Sequence, residues 1–251
     1  MLELQTLSAG YEGRTILSDI DLAFEPGTVT AIIGRNGCGK STLLKTACRL
    51  LPPLGGAIVI DGEKSASYDP KDWARLVSVL PQSRLVPSIP VQALVMHGRF
   101  PYLGFSRKAR PEDKAMVESS MRRMDVWEYR HKNMDTLSGG ERQKVYLAML
   151  LAQDARYIFL DEPATFLDIH YRLEILRLMR ELRDEGRCVI AVMHELSHAL
   201  SVADKVCLLD GGKVVMCDTP QAVYASGTIE RCFQVRSKPV ETEDGTAYFF
   251  Y

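Results

Sequence analysis

Thr28-Val29-Thr30-Ala31-Ile32-Ile33 runs directly into Gly34-Arg35-Asn36-Gly37-Cys38-Gly39-Lys40-Ser41-Thr42, and beyond it Leu43, Leu44, Ala47, Leu50 and Leu51 recur at helical spacing until Pro52-Pro53. A continuous apolar run reads as a strand buried on both faces. The residues after it fit G-x-x-x-x-G-K-[ST], in the strand-to-helix context which that pattern requires. Successive backbone N–H groups from Gly34 to Thr42 are expected to form an anion-binding concavity, helped by the dipole of the helix that follows. Lys40 is placed to reach β- and γ-phosphates, and the Ser41 hydroxyl to ligate Mg²⁺.

Outward from this loop, strand and helix patterns alternate. Leu2 and Leu4, then Ile20, Leu22 and Phe24, follow period two and predict strands with one solvated face, antiparallel in character. Ala57 to Ile60 before Asp61-Gly62, and Val77 to Leu80 before Pro81, read as further strands. From about Ser83 to Leu137 the pattern turns helical: Pro111 opens a helix with Glu112 and Asp113 in its first turn and Val117, Met121 and Met124 on one face. Strand character returns at Tyr157 to Leu160, Cys188 to Met193 and Lys205 to Leu209, and Asp210-Gly211-Gly212 predicts a hairpin running to Cys217. The expectation is one α/β domain over residues 1–251. It has a mixed-sheet core, an N-terminal antiparallel β subdomain, a helical subdomain inserted at about 83–137 and a short tail from about 219 to 251.

Two more stretches carry chemistry. Tyr157-Ile158-Phe159-Leu160-Asp161-Glu162 is an apolar strand ending in adjacent carboxylates. Asp161 can hold Mg²⁺, and Glu162 can act as a base on a water facing the γ-phosphate. In Leu137-Ser138-Gly139-Gly140-Glu141, Ser138 and Glu141 form a capping box ahead of the helical positions Val145, Ala148, Met149 and Ala152. A well-capped helix explains Ser138 and Glu141 without any ligand. The two glycines weaken that helix start, yet they leave bare backbone for a phosphate to approach. One subunit cannot readily bring two helix N-termini to one γ-phosphate, so this second one suits a nucleotide held by another subunit.

With these residues in view the chain resembles the ATP-binding cassette (ABC) ATPases, over essentially its whole length. Gly34–Thr42 is similar to the Walker A loop, Leu137–Glu141 to the LSGGE signature, and Tyr157–Asp161 to the Walker B strand with Glu162 after it. By that resemblance Tyr11 stacks on adenine, Gln82 is the Q-loop glutamine that touches Mg²⁺ and senses the membrane partner, Phe166-Leu167-Asp168 is the D-loop, and His194 is the switch histidine at the γ-phosphate. The resemblance implies ATP and Mg²⁺ as ligands and an ATP-dependent head-to-tail homodimer. It also implies integral-membrane permease subunits, a substrate-binding protein, and a place at the cytoplasmic face of the cell membrane. A finer resemblance, carried by Gly98-Arg99-Phe100-Pro101-Tyr102 and Glu162-Pro163-Ala164-Thr165-Phe166-Leu167-Asp168, is to ATPase subunits of importers for iron–siderophore complexes, haem and cobalamin. A tail with Asp218-Thr219-Pro220 and Val223 agrees with that group, whereas Ala164 and Glu195 stand where it usually has Thr and Asp. The alternatives are an exporter's ATPase, another importer's, a soluble ABC ATPase acting on DNA or ribosomes, and a P-loop kinase or GTPase. LSGGE opposes the last, and Thr42 to Leu137 leaves no room for the long coiled coil of DNA-repair relatives.

Composition sets the outer bounds. The 251 residues carry 31 Lys plus Arg against 32 Asp plus Glu, a net charge of -1, with 46% hydrophobic residues. Disorder and small disulfide scaffolds are excluded, and near-neutral charge argues against nucleic acid as a partner. No apolar run approaches the ~20 residues of a membrane span. Met1 to Gln5 carries an early acid and no basic run, so no secretory signal is expected. Cys38, Cys48, Cys188, Cys207, Cys217 and Cys232 form no C-x-x-C pair and read as small buried hydrophobes, with Cys38 a candidate thiol whose modification blocks ATP. Met116, Met121, Met124 and Met134 read as core of the helical insertion. Arg99, Arg107, Lys108 and Arg110 read as a basic cluster, either a solvated loop or a contact near anionic headgroups or a partner's cytoplasmic loops. His194-Glu195-Leu196-Ser197-His198 spells the zincin pattern H-E-x-x-H, but its first histidine falls at a strand end rather than on a helix, so no zinc is expected.

Overall fold

The period-two alternation of residues 2–24 becomes an antiparallel pair in the computed structural model, which describes residues 1–82, 86–104, 108–165, 167–242 and 245–251. Ser83, Arg107 and Phe166, each named above, lie outside the described residues. In chain order the elements are β1 (Leu2–Tyr11), β2 (Arg14–Phe24), β3 (Val29–Gly34), α1 (Lys40–Ala47), β4 (Gly55–Ile60), β5 (Glu63–Lys64), α2 (Pro70–Leu76) and β6 (Val77–Leu80). Then come α3 (Val91–Met96), α4 (Pro111–Arg123), α5 (Gly139–Gln153), β7 (Tyr157–Asp161), α6 (Ile169–Asp184), β8 (Cys188–Val192), α7 (Leu196–Val202), β9 (Lys205–Asp210) and β10 (Lys213–Asp218). The tail folds as α8 (Pro220–Ala225), α9 (Thr228–Phe233) and the hairpin β11 (Ser237–Thr242) with β12 (Gly245–Phe250).

Two sheets enclose α1. The first has the order β2-β1-β4-β5 and is antiparallel; the second runs β10-β9-β3-β8-β7-β6, parallel except for β10. Because β3 is buried on both faces, its alternate residues serve two cores. Ile32 joins Leu43 and Leu44 of α1 and the first sheet on one side, while Ala31 and Ile33 pack with α6 and α7 residues on the other. That is the physical content of its unbroken apolar run. The helical insertion packs α3 and α4 on α5, with Val117, Met121 and Met134 fully buried among them. No helix among the described residues is long and apolar enough to cross a membrane.

Two expectations are corrected. The helix after the phosphate loop stops at Ala47 rather than reaching Leu51. Arg49 adopts a left-handed conformation at φ 62, and the Leu50 and Leu51 N–H groups both fold back to the Lys45 carbonyl, which leaves Leu50 exposed. Arg49 then donates to the Ser65 and Tyr68 carbonyls and covers the Trp73 ring. The basic cluster also divides. Lys108 and Arg110 are exposed, but Arg99 is buried. Its Nε donates to Asp113 Oδ1 at 3.1 Å, its Nη1 to the Ala152 carbonyl at 2.9 Å, and its guanidinium lies 3.7 Å from the centre of the Tyr102 ring. Arg99 is thus an internal strut joining the insertion to α5.

Candidate functional site

Parallel register brings the chemistry to one edge of the second sheet. Ile32 of β3 faces Val192 of β8, and Val192 faces Asp161 of β7, so the three strands end level. The phosphate loop leaves β3, His194 follows β8 by two residues and Glu162 follows β7 by one. These loops surround a cavity of about 440 Å³ lined by Ile16, Asn36, Gly37, Gly39, Lys40, Ser41, Thr42, Gln82, Glu162 and His194. Its size falls within the usual range for small-molecule sites.

The loop is built for an anion. Gly39 sits at φ 105, where a side chain would be strained, and a Cβ there would stand 2.6 Å from Leu17 Cδ2. As N-cap of α1 it offers no side-chain acceptor, so the first N–H groups of that helix remain free for a ligand. Lys40 is buried and donates to the Gly34 carbonyl at 2.7 Å and the Arg35 carbonyl at 3.1 Å. An ammonium has three donors, so one proton is left for a phosphate oxygen. Cys38 turns away: it is buried, with its Sγ packed 2.7 Å from where a Gly34 Cβ would stand. Burial pushes its thiol up, against the opposing pull of Lys40.

Ser41 Oγ donates to Asp161 Oδ1 at 3.1 Å, which places a hydroxyl and a carboxylate side by side as oxygen ligands. Burial raises the Asp161 carboxyl above its ordinary range; Ser41 opposes this and the Glu162 charge adds to it. A hard divalent cation suits such an all-oxygen donor pair and would favour the ionised carboxylate.

Glu162 is held from three sides. Gln82 Nε2 donates to Oε2 at 2.6 Å, Thr165 Oγ1 donates to the same oxygen at 3.3 Å, and His194 Nε2 lies 2.5 Å from Oε1. The backbone of Glu162 is left-handed at φ 53, a conformation costing roughly 1–2 kcal/mol in an L-residue. A turn from Thr165 N–H to the Glu162 carbonyl and a bond from Glu162 N–H to the Val192 carbonyl hold it there. Strain of this kind persists where a site fixes a side chain.

The remaining sequence candidates lie elsewhere. Tyr11 flanks the tip of the β1–β2 hairpin, 42% exposed and outside the cavity wall, where β2 contributes Ile16 instead. Arg35 is exposed and meets Lys40 only through its carbonyl. Ser138 and Glu141 make the expected capping box, with Ser138 N–H to Glu141 Oε2 at 2.8 Å, and none of Ser138, Gly139, Gly140 or Glu141 lines the cavity. Gly139 has open space where a Cβ would be, but a Cβ on Gly140 would meet the Tyr171 ring at 2.5 Å, so packing alone favours that glycine. Asp168 caps α6 through the Tyr171 N–H. His194 does sit just past the end of β8, with His198 on α7 contacting Glu195.

Sequence reasoning missed three contributors. Ile16 enters the wall through long-range strand placement that no local signal marks. Thr165 reaches Glu162 through a turn that no local pattern marks. Gln143, buried on α5, donates to the Pro163 carbonyl at 2.6 Å and so ties the signature helix to the Glu162 turn. A polar residue on an otherwise apolar helix face was the available signal.

Comparison with known proteins accords with this geometry. The family model described as "ABC transporter" matches residues 17–165. Ferric enterobactin transport ATP-binding protein FepC of Escherichia coli (strain K12) is 38% identical over 92% of this chain and 86% of its own length. Iron(3+)-hydroxamate import ATP-binding protein FhuC of Bacillus subtilis (strain 168) is 35% identical over 95% of this chain and 90% of its own length. Among solved structures, an inward-facing ABC transporter described as of metal-chelate type superposes with a TM-score of 0.85 at 21% identity, covering 100% of this chain and 97% of that one, a likeness of fold.

Proposed function

The chain belongs to the ABC transporter family as an ATP-binding subunit, an ATPase, and from that premise we propose that it powers uptake of an iron–siderophore complex, haem or cobalamin. The observation that carries the chemistry is the Glu162 carboxylate, fixed by Gln82, Thr165 and His194 beside a phosphate loop whose helix end is uncapped. Backbone N–H groups from Gly34 to Thr42 hold the β- and γ-phosphates of ATP, and Lys40 adds its charge. Ser41, Asp161 and Gln82 hold Mg²⁺, which when bound neutralises charge on the phosphates. Glu162 orients a water and accepts its proton as it attacks the γ-phosphorus in line, while His194 steadies both Glu162 and the γ-phosphate. Tyr11 stacks on the adenine.

The signature completes the site from a second copy. Ser138, Gly139, Gly140 and Glu141 of one protomer face the nucleotide on the other, with Asp168 at the contact between protomers. Closure on ATP and reopening after hydrolysis drive permease subunits between inward and outward states. The substrate-binding protein, the peripheral position at the cytoplasmic membrane face, and the division into a helical insertion at 83–137 and a tail at 219–251 belong to the same reading. The names of FepC and FhuC support iron-complex import for this chain. The test is uptake of radiolabelled iron–siderophore, haem and cobalamin by cells lacking this chain, each complemented with wild type or Glu162→Gln. Loss of one uptake, restored by wild type alone, is the expected result; undiminished uptake of all three contradicts the importer assignment.

A further inference from the structure

The β9–β10 hairpin places two cysteines face to face. Cys217 of β10 is the register partner of Cys207 of β9, close to a bulge between Val214 and Met216. Facing residues of an antiparallel pair have Cα atoms about 4.5–5.5 Å apart, inside the window of roughly 4.4–6.8 Å that a disulfide spans. The two side chains turn to the same side, since both pack on the cluster that holds Ile32 and Leu209, whereas the neighbouring Leu208 and Met216 face the other one. Cys207 is wholly buried, beside Ile32 of β3 and two residues ahead of Gly34, whereas Cys217 is half-buried at the sheet edge. One thiol is therefore open to a small reagent and its partner is held where only the first can reach it.

We propose that Cys207 and Cys217 form an oxidisable dithiol that closes to a cross-strand disulfide under hydroperoxide. The Cys217 thiolate attacks one peroxide oxygen and the O–O bond breaks. The sulfur becomes sulfenic acid, and the departing hydroxide takes up a proton as water. The Cys207 sulfur then attacks the sulfenic sulfur, the S–O bond breaks, and hydroxide leaves with the Cys207 proton as a second water. Two thiols lose two electrons in all, and one peroxide gains them. The bond accepted from Cys207, and then the Lys205 ammonium, hold the Cys217 thiol below its ordinary value against burial and Asp218. The Cys207 thiol is held up, so the attacking group and the resolving group are distinct. Cys48 and Cys188 are buried with thiols pushed up to about 12, and they stand as internal controls in the same molecule.

The experiment pulses the native chain with hydrogen peroxide, quenches with catalase, unfolds it in excess iodoacetamide and digests it without reductant for mass spectrometry. The expected product links the Cys207 and Cys217 peptides. The count of alkylated thiols falls by two from the six present, and dithiothreitol restores it. In Cys207→Ala, Cys217 stops at sulfenic acid and is trapped by dimedone; in Cys217→Ser, Cys207 is recovered fully alkylated. Recovery of both cysteines as free thiols in the wild type overturns the proposal, as does a bridge from either to Cys38 or Cys232. Oxidation of Cys48 or Cys188 in the same pulse also overturns it, because the bridge would then come from unfolded chain.

Discussion

Arg99→Met removes a charge from inside the protein and keeps most of the side-chain volume. In the wild type, Asp113 is fully buried and accepts from Arg99 Nε at 3.1 Å and from the Arg110 backbone N–H at 3.0 Å. The exposed Arg110 side chain adds only a 3.5 Å contact. Removing one partner of a buried pair costs about 3–5 kcal/mol, because the other charge is left without compensation. The stranded Ala152 carbonyl adds about 1 kcal/mol, and Arg110 returns part of the total. Against a whole stability of about 5–15 kcal/mol, the net loss should lower Tm by roughly 10 °C, at about 2–4 °C per kcal/mol for a chain of this size. Calorimetry or thermal circular dichroism at pH 7 measures it. Asp113→Asn on the Arg99→Met background should recover a large part of the loss, giving a coupling of about 2 kcal/mol in a double-mutant cycle. The pH dependence has a definite sign. Burial alone would raise the Asp113 carboxyl, but the Arg110 N–H and the bond and charge of Arg99 outweigh it and hold it below its usual range. The wild type therefore has this stabilisation in full above the unfolded value of about 3.9 and loses it as pH falls through the lower folded value. Without Arg99, burial dominates and the folded carboxyl takes up its proton first, so the deficit of the variant should shrink on acidification. A change in stability within about 0.5 kcal/mol at pH 7, or strictly additive single losses, would refute the internal strut.

Glu162→Gln should lower kcat for ATP hydrolysis about 10²–10⁴-fold, measured by phosphate release, with ATP affinity by fluorescence titration essentially unchanged. Ser138→Arg should abolish ATPase activity while nucleotide binding to the monomer persists and Tm falls by only a few °C, the cost of about 1 kcal/mol for the lost helix cap; loss of binding as well would mean that the signature acts within one chain. Gly98→Ala should lower Tm, since its Cβ would stand 2.2 Å from the Met149 carbonyl oxygen, a backbone clash that costs about 1–3 kcal/mol.

The phosphate loop, the paired carboxylates and the capped signature helix were legible because each is a local pattern. Its spacing is dictated by backbone geometry: Gly39 by a positive φ, Ser138 and Glu141 by orphan N–H groups, and Tyr157 to Leu160 by burial on both sheet faces. What local pattern could not convey was partnership across the fold. Arg99 reads as solvated until Asp113 and Tyr102 close around it. The end of α1 turns on a left-handed Arg49, a conformation that an arginine side chain does not advertise. The hairpin β11–β12 pairs a mostly polar strand with one carrying Tyr248, Phe249 and Phe250, and the buried Tyr248 shows which face matters only once α7 lies against it. Of the site itself, the clamp on Glu162 draws Gln82 and His194 from segments 80 and 32 residues away in sequence, and its geometry exists only after the strands align.

Each nucleotide is proposed to lie between the phosphate loop of one copy and the signature of another. The direct measurement is the mass of Glu162→Gln by light scattering, with and without Mg²⁺–ATP, alone and combined with Ser138→Arg. The expected result is a mass that doubles with ATP in Glu162→Gln and stays monomeric in the double variant. A monomer at every ATP concentration, or a dimer indifferent to both nucleotide and Ser138, would contradict the shared site.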